Sequence, residues 1–265
     1  MLDESSIAAA LAGSTFVVHT ASPFVLSNPE DPQTLIRPAV EGTTAVLNAC
    51  KANGVRRLAI TSSIAAIRSV MPADWPADNT FDETFWSDLR EDNVGMSTYN
   101  RSKTMAEKAA WDFQAALPEG ERFEVVTLNP ALIIGPVHLT TDFASGQVMR
   151  GAMTKGDKCG RVKMGMVDVR DVAKAHLLAI TVEAAANRRF LLVAKCAWRK
   201  EMAACLAAEF NSKGFNVNTE EATDGDVLDY EANTTASREI LGLVYRPIEE
   251  SWIDMANCLI ESGFI

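Results

Sequence analysis

A tyrosine and a lysine that lie four residues apart are the side chains of this sequence best suited to acid–base chemistry. Tyr99 and Lys103 fall in a stretch from about Ser97 to Leu117, whose apolar residues recur at helical spacing. Residues i and i+4 share one face of a helix, so the ammonium would lower the phenol pKa from its usual value of about 10. A phenol tuned in this way can donate a proton to a carbonyl oxygen. The pair alone is weak evidence, because this spacing also arises by chance.

Strand and helix signals alternate on both sides of this pair. Buried strands are predicted near 15–19, 57–61 and 123–128, with helices at 32–53 and 97–117 between them. Such alternation predicts parallel strands joined by right-handed crossovers, a doubly wound α/β sheet.

Ligands of such sheets bind beyond the carboxyl ends of the strands. Ser22, Ser63 and Pro130 follow the three predicted strands, and the helix of Tyr99 connects two of them. The sequence therefore predicts that a candidate site lies at this edge of the sheet.

The second half of the chain has a looser pattern. Helices are predicted at 141–153, 168–183, 199–210 and 248–260, and extended segments at 162–167 and 190–193. Pro136 is the predicted boundary between residues 1–136 and a mixed region, residues 137–265.

Composition excludes several classes of partner. The chain has 265 residues, 48% of them apolar, and a net charge of −10 without a marked basic cluster, so nucleic acid and anionic membranes are poor partners. No apolar run approaches the roughly 18 residues of a spanning helix, and the first residues are acidic, unlike a secretory signal. The five scattered cysteines predict free thiols in the cytoplasm. The histidines, His19, His138 and His176, share no ligand spacing, so no metal site is predicted.

Five motifs occur in an order that resembles a known family. They are Thr20-Ala21-Ser22-Pro23, Thr61-Ser62-Ser63, Tyr99-Asn100-Arg101-Ser102-Lys103, Asn129-Pro130 with Gly135-Pro136, and Val167-Asp168-Val169-Arg170-Asp171-Val172-Ala173. Together they resemble the extended short-chain dehydrogenase/reductases, specifically the dihydroflavonol-reductase and cinnamoyl-CoA-reductase-like group within the NAD-dependent epimerase/dehydratase family. The resemblance extends from about Leu2 to the C-terminus.

The resemblance implies a role for each matching residue. Tyr99 would donate the proton to a substrate carbonyl, Lys103 would lower its pKa and bind the nicotinamide ribose, and Ser63 would hydrogen-bond the carbonyl oxygen, with Ser62 as the less suitable choice. The residues implied to line the cofactor are Thr20, Ala21, Ser22, Tyr99, Lys103, Pro130, Ala131, Leu132 and Ile133. The implied cofactor is NADP, with NAD as the open alternative and no metal.

One expected motif is missing from the sequence. The family begins with a strand and a Gly-x-x-Gly-x-x-Gly turn that receives the cofactor pyrophosphate at a helix N-terminus, and this sequence does not contain that turn. We therefore expect an N-terminally truncated Rossmann-like sheet, with residues 1–136 as a partial dinucleotide-binding domain. Residues 137–265 would supply a smaller substrate-binding lobe and returning Rossmann elements. The strand at 15–19 would form an exposed edge through which the chain could self-associate.

Two functional hypotheses follow. The first is an NAD(P)H-dependent oxidoreductase that interconverts CH–OH and C=O groups of a small-molecule substrate. The alternative is a catalytically inactive remnant that acts through protein contacts. Residues 93–99 lack the Asn-Trp-Tyr-Cys-Tyr motif of cinnamoyl-CoA reductases, which argues against a cinnamoyl-CoA substrate. The stretch Asp82–Asp88 also resembles the family and is interpreted as the anchor of a packed loop.

Overall fold

The computed structural model describes residues 3–23, 28–93, 95–137 and 143–265. The described helices are α1 (Glu4–Ala10), α2 (Gln33–Ala52), α3 (Thr98–Ala116), α4 (Ala144–Thr154), α5 (Val169–Thr181), α6 (Arg199–Phe210), α7 (Thr235–Glu239) and α8 (Ile248–Glu261). The described strands are β1 (Phe16–His19), β2 (Arg57–Thr61), β3 (Thr80–Phe81), β4 (Glu124–Pro130), β5 (Leu132–Ile134), β6 (Lys163–Asp168), β7 (Arg188–Leu192), β8 (Lys195–Trp198) and β9 (Glu231–Ala232).

The chain divides into two compact units. The first unit comprises Met1–Pro130, Lys174–Leu192 and Asn233–Leu243. The second unit comprises Ala131–Ala173, Val193–Ala232 and Val244–Ile265. The roles that the sequence suggests for residues 1–136 and 137–265 stay predictions.

The first unit is built on a parallel sheet whose described strands lie in the order β1-β2-β4-β7. The register pairs Val17 with Leu58, and Leu58 with Val125. Strand β2 is almost wholly buried, as expected for a parallel strand covered on both faces. Leu58, Val125 and residues of α2 and α3 share one apolar core. The α/β class with a parallel sheet, predicted from the alternating pattern, is confirmed.

The second unit has its own sheet and core. Strand β6 pairs in parallel with β5 and antiparallel with β8. The core of the second unit is rich in methionine and contains Trp252, whose indole nitrogen contacts the Met166 sulfur. Asp168, the last residue of β6, accepts a hydrogen bond from the Arg170 backbone N–H at the start of α5. Its carboxylate also accepts from the Ser251 hydroxyl.

Element boundaries follow the predictions closely in some places and differ in others. Helix α6 has the predicted bounds, and α8 ends one residue later than predicted. The helix predicted at 141–153 begins at Ala144, and residues 141 and 142, like His138, lie outside the described residues. Strand β4 continues through Pro130, beyond its predicted end at 128. Within the described part of the chain, no helix is both long and apolar enough to cross a membrane.

Candidate active site

Helix α3 positions the tyrosine and the lysine. The Ser97 hydroxyl accepts a hydrogen bond from the Asn100 backbone N–H, 3.1 Å, and this cap starts the helix immediately before Tyr99. Lys103 follows one turn later, and its Nζ lies 5.9 Å from the centroid of the Tyr99 ring. Lys103 is only 8% exposed. Both side chains therefore lie on one face of the helix, as predicted.

Two adjacent serines follow β2 and point to different partners. Ser63 has extended backbone and caps a short 3₁₀ helix, because its Oγ accepts a hydrogen bond from the Ala65 backbone N–H, 3.1 Å. Its side chain is also hydrogen-bonded to the Tyr99 side chain. The Ser62 hydroxyl instead donates to Glu107 Oε2. Ser63, not Ser62, is thus the serine that accompanies Tyr99.

The electrostatics of the pair differ from the expectation. Burial raises the pKa of Tyr99, and the hydrogen bond from Ser63 opposes this rise only in part. The net shift of the Tyr99 pKa is upward, opposite to the direction expected from a neighbouring ammonium, because loss of water around the phenol outweighs the hydrogen bond from Ser63. Burial also lowers the pKa of Lys103 to about 8, opposed by the Glu107 carboxylate.

The loop after β1 lies beside the lysine. Thr20 and Ala21 are exposed, while Ser22 is half-buried. Ala21, Ser22 and Lys103 line a cavity of about 20 Å³, room for roughly one water molecule. His19 lines the same cavity, and burial, together with the Lys103 ammonium, lowers its pKa to about 4. His19 is therefore neutral at neutral pH.

The remaining predicted cofactor residues belong to the end of β4 and to β5. Pro130 is the buried last residue of β4 in the first unit. Ala131, Leu132 and Ile133 belong to the second unit, where Leu132 and Ile133 pair with Met166 and Val167 of β6. The first unit thus brings together Ser63, Tyr99 and Lys103, with Ala21 and Ser22 around the Lys103 cavity.

Two polar contacts beside the site were not predicted. Glu107, one turn after Lys103, is buried and accepts hydrogen bonds from several elements of the first unit. His176 of α5 is buried, with Nε2 2.6 Å from the Thr61 hydroxyl at the end of β2. The sequence did contain a signal for Glu107. Residues at i, i+4 and i+8 share a helix face, so the spacing of Tyr99, Lys103 and Glu107 could have predicted that Glu107 lies on the same face.

Comparison with known proteins agrees with the motif order. The profile of the 3-beta hydroxysteroid dehydrogenase/isomerase family matches residues 1–188. The chain belongs to this family. The resemblance to the extended short-chain dehydrogenase/reductases of the dihydroflavonol-reductase-like group is confirmed.

Three relatives illustrate the family. Cinnamoyl-CoA reductase CAD2 of Medicago truncatula is 33% identical over 266 residues, which cover 100% of this chain and 79% of that protein. Ketoreductase azaE of Aspergillus niger is 33% identical, over 93% of this chain and 75% of that protein. The crystal structure of yeast methylglyoxal/isovaleraldehyde reductase Gre2 complexed with NADPH superposes with a TM-score of 0.84 at 27% identity, covering 100% of this chain and 83% of that one.

Proposed function

We propose that this protein is an NADPH-dependent reductase that converts a small-molecule ketone or aldehyde to the alcohol, and the reverse. The observation that carries the proposal is the grouping of Ser63, Tyr99 and Lys103, in which Tyr99 is hydrogen-bonded to Ser63 and adjoins a buried lysine. The names of its relatives, which include a ketoreductase and a methylglyoxal/isovaleraldehyde reductase, support the same reaction class.

A nicotinamide cofactor held beside Lys103, Ala21 and Ser22 would supply a hydride for the carbonyl carbon. The hydroxyls of Ser63 and Tyr99 donate hydrogen bonds to the carbonyl oxygen, where negative charge develops. The raised pKa of Tyr99 keeps its proton in place at neutral pH, so the phenol acts as an acid. The proton moves from Tyr99 to the alkoxide, and the Lys103 ammonium stabilises the phenolate that remains.

The residues present fit the nicotinamide end of the cofactor. Lys103 presents an ammonium to a small cavity, and the short side chains of Ala21 and Ser22 leave room for a ligand near the backbone. Thr20 and Pro130 would also line the nicotinamide end of the cofactor. The role implied for Ala131, Leu132 and Ile133 stays a prediction. The sequence contains no Gly-x-x-Gly-x-x-Gly turn, so the proposal assigns no residue to the cofactor pyrophosphate.

The decisive variant is Tyr99→Phe, which removes the proton donor and keeps the ring. We expect kcat for NADPH-dependent reduction of a panel of small ketones and aldehydes to fall by about 10²- to 10⁴-fold, with KM little changed. Tyr245→Phe, which removes a phenol hydroxyl from the second unit, is the matched control. Unchanged turnover in a folded Tyr99→Phe protein would exclude the proposed role.

A second candidate function, an inactive protein that acts through protein contacts, would use the exposed apolar residues of β1, Phe16 and Val18. Titration of the purified chain with NADPH and NADH, alongside its molecular mass in solution, separates the two. Saturable binding, tighter for NADPH, supports the reductase. Absence of binding by a folded chain supports the second candidate.

A further inference from the structure

Polar groups from three parts of the chain, namely the segment after β2, β4 and β7, surround the buried Glu107 carboxylate. The Glu107 side chain has no exposed surface, and it forms an ion pair with Arg189 of β7, Nε to Oε1 2.6 Å. Oε1 also accepts from the Thr127 hydroxyl of β4, 2.9 Å. Oε2 accepts from Ser62 after β2 and from Asn129 Nδ2 of β4, the latter at 2.6 Å. We call Glu107, with Ser62, Thr127, Asn129 and Arg189, the Glu107 hub.

The hub holds the backbone of Ser63 from two directions. Ser62, the residue before it, is bonded to Glu107 directly. Asn129 Nδ2, which donates to Glu107, also donates to the Ser63 carbonyl oxygen, 3.1 Å. The turn that directs the Ser63 side chain toward Tyr99 is therefore tied to one carboxylate.

The Glu107 carboxylate, which lines the same cavity as Lys103, also acts on the charge of that lysine. Burial disfavours the Lys103 ammonium, and the Glu107 carboxylate, one helical turn away, favours it. The other groups facing Lys103 add little charge at neutral pH. His19 of β1 is neutral and Tyr99 keeps its proton. The cavity residues Thr43 of α2, Ile60 and Thr61 of β2, and Ser62 after β2 are uncharged.

We propose that Glu107 is the positioning residue of this site: it fixes the turn that carries Ser63 and keeps Lys103 charged, without contacting the substrate. The inference rests on the proposed function, since it assigns Glu107 to the same reaction.

A purely structural role explains the hub less well. A buried ion pair is weak evidence for stability, because apolar residues of similar volume often stabilise a fold as much. The hub also leaves Arg189 Nη2 and Asn129 Oδ1 buried without a hydrogen-bond partner among the described residues, which costs stability.

The first test is the pH profile of Glu107→Gln, which removes the charge and keeps the size. We expect kcat to fall about 10- to 100-fold with KM within about threefold, because Ser63 is held less accurately. Activity that needs the Lys103 ammonium is lost as pH rises through its pKa. Without the Glu107 charge, this alkaline limb should move toward acid by about one pH unit or more.

Two matched variants isolate the charge. Asp112→Asn removes an exposed carboxylate from the same helix. We expect this variant to have the wild-type kcat and the wild-type alkaline limb of the pH profile. Thr127→Val removes one hydrogen bond of the hub and keeps the Glu107 charge. The alkaline limb of the pH profile should therefore stay at the same pH, while kcat falls modestly. A folded Glu107→Gln protein with the wild-type kcat and limb overturns the proposal.

The second test needs neither cofactor nor turnover. Lysine labelled with carbon-13 at Cε reports the ionisation of each ammonium, and the Lys103 signal is the one missing from Lys103→Arg. We expect the titration of this signal to move toward acid in Glu107→Gln and to stay in place in Asp112→Asn. An unchanged titration in Glu107→Gln overturns the proposal. If the wild-type chain reduces no carbonyl compound, the proposed function fails, and this titration still decides the role of Glu107.

Glu107→Gln leaves the buried Arg189 guanidinium without its counter-ion, so the variant could fail to fold. The double variant Glu107→Gln/Arg189→Gln removes both charges and avoids this cost. We expect it to show the reduced kcat, with a smaller acid shift of the Lys103 titration than Glu107→Gln. Wild-type kcat and titration in the folded double variant would overturn the proposal.

Discussion

The buried Lys103 ammonium is poorly hydrated, and this lowers the stability of the folded protein. The pH dependence of unfolding measures the effect. The pKa of Lys103 is about 8 in the folded chain, against an ordinary value of 10.5, so the folded protein binds fewer protons than the unfolded chain between these pH values. The destabilisation is therefore complete below pH 8 and disappears as pH approaches 10.5. A residue kept at such a cost is a candidate for function, because strongly shifted pKa values cluster at active sites.

Lys103→Met should consequently stabilise the protein while abolishing reduction. We expect the free energy of unfolding at pH 7 to rise by about 2–3 kcal/mol, a gain that shrinks as pH increases from 8 toward 10.5. Urea denaturation at pH 7 and at pH 10 measures both values. Lys51→Met removes an ammonium that is 44% exposed and should change stability little. Equal stability of Lys103→Met and wild type at pH 7 would contradict the prediction.

At the residue scale, spacing alone predicted that Tyr99 and Lys103 share a helix face. It did not predict the direction of the Tyr99 pKa, which depends on burial by residues distant in sequence. Nor did it reveal the Glu107 hub, since three separate parts of the chain supply the donors. The sequence does not show whether a single glutamate on a helix is buried or exposed to solvent.

At the scale of elements, the strands β1, β2 and β4 and the helices α2 and α3 were predictable because hydrophobic periodicity survives in each of them. The strands β5 and β8 were not, because only one and two residues separate them from the preceding strands β4 and β7, so no turn signal marks where they begin. The turn at Gly135, between β5 and α4, also needed the structure. Its φ of +118° is unfavourable for other residues, and a Cβ there would lie 2.9 Å from Asp168 Oδ2.

Gly135→Ala should therefore destabilise the second unit. We expect a loss of about 2–4 kcal/mol, since the added methyl strains the backbone and displaces the carboxylate that caps α5 and binds Ser251. Gly54→Ala is the comparison, because Gly54 has a φ of +64° and open space around it, so only the backbone cost of about 1 kcal/mol applies. Thermal or urea unfolding measures the difference, and equal effects of the two substitutions would refute the role of Asp168.

At the scale of the whole molecule, β1 is the feature most open to other chains. Among the described residues it pairs with β2 alone, and Phe16 and Val18 are 37% and 41% exposed. Unpaired apolar edges favour pairing between chains, although a net charge of −10 opposes close approach.

We expect the protein to self-associate as its concentration and the salt concentration rise, because salt screens the repulsion. Val18→Lys should reduce this association at least several-fold, since a lysine on an edge strand disfavours pairing. Sedimentation velocity over a concentration series measures the effect. Leu177→Lys, at an exposed apolar residue of α5, is the control and should not change association. A wild-type chain that stays monomeric throughout would exclude the edge as a self-association surface.

The Glu107 hub also bears on how the chain folds. Glu107 is separated by 45 positions from Ser62, by 20 from Thr127 and by 82 from Arg189. Contacts between residues so distant in sequence require large loops to close first, so they form late along the folding pathway. Loosening such contacts should mainly accelerate unfolding and hardly slow refolding. The persistence time of the native state, and not the speed at which it is reached, would then depend on the Glu107 carboxylate.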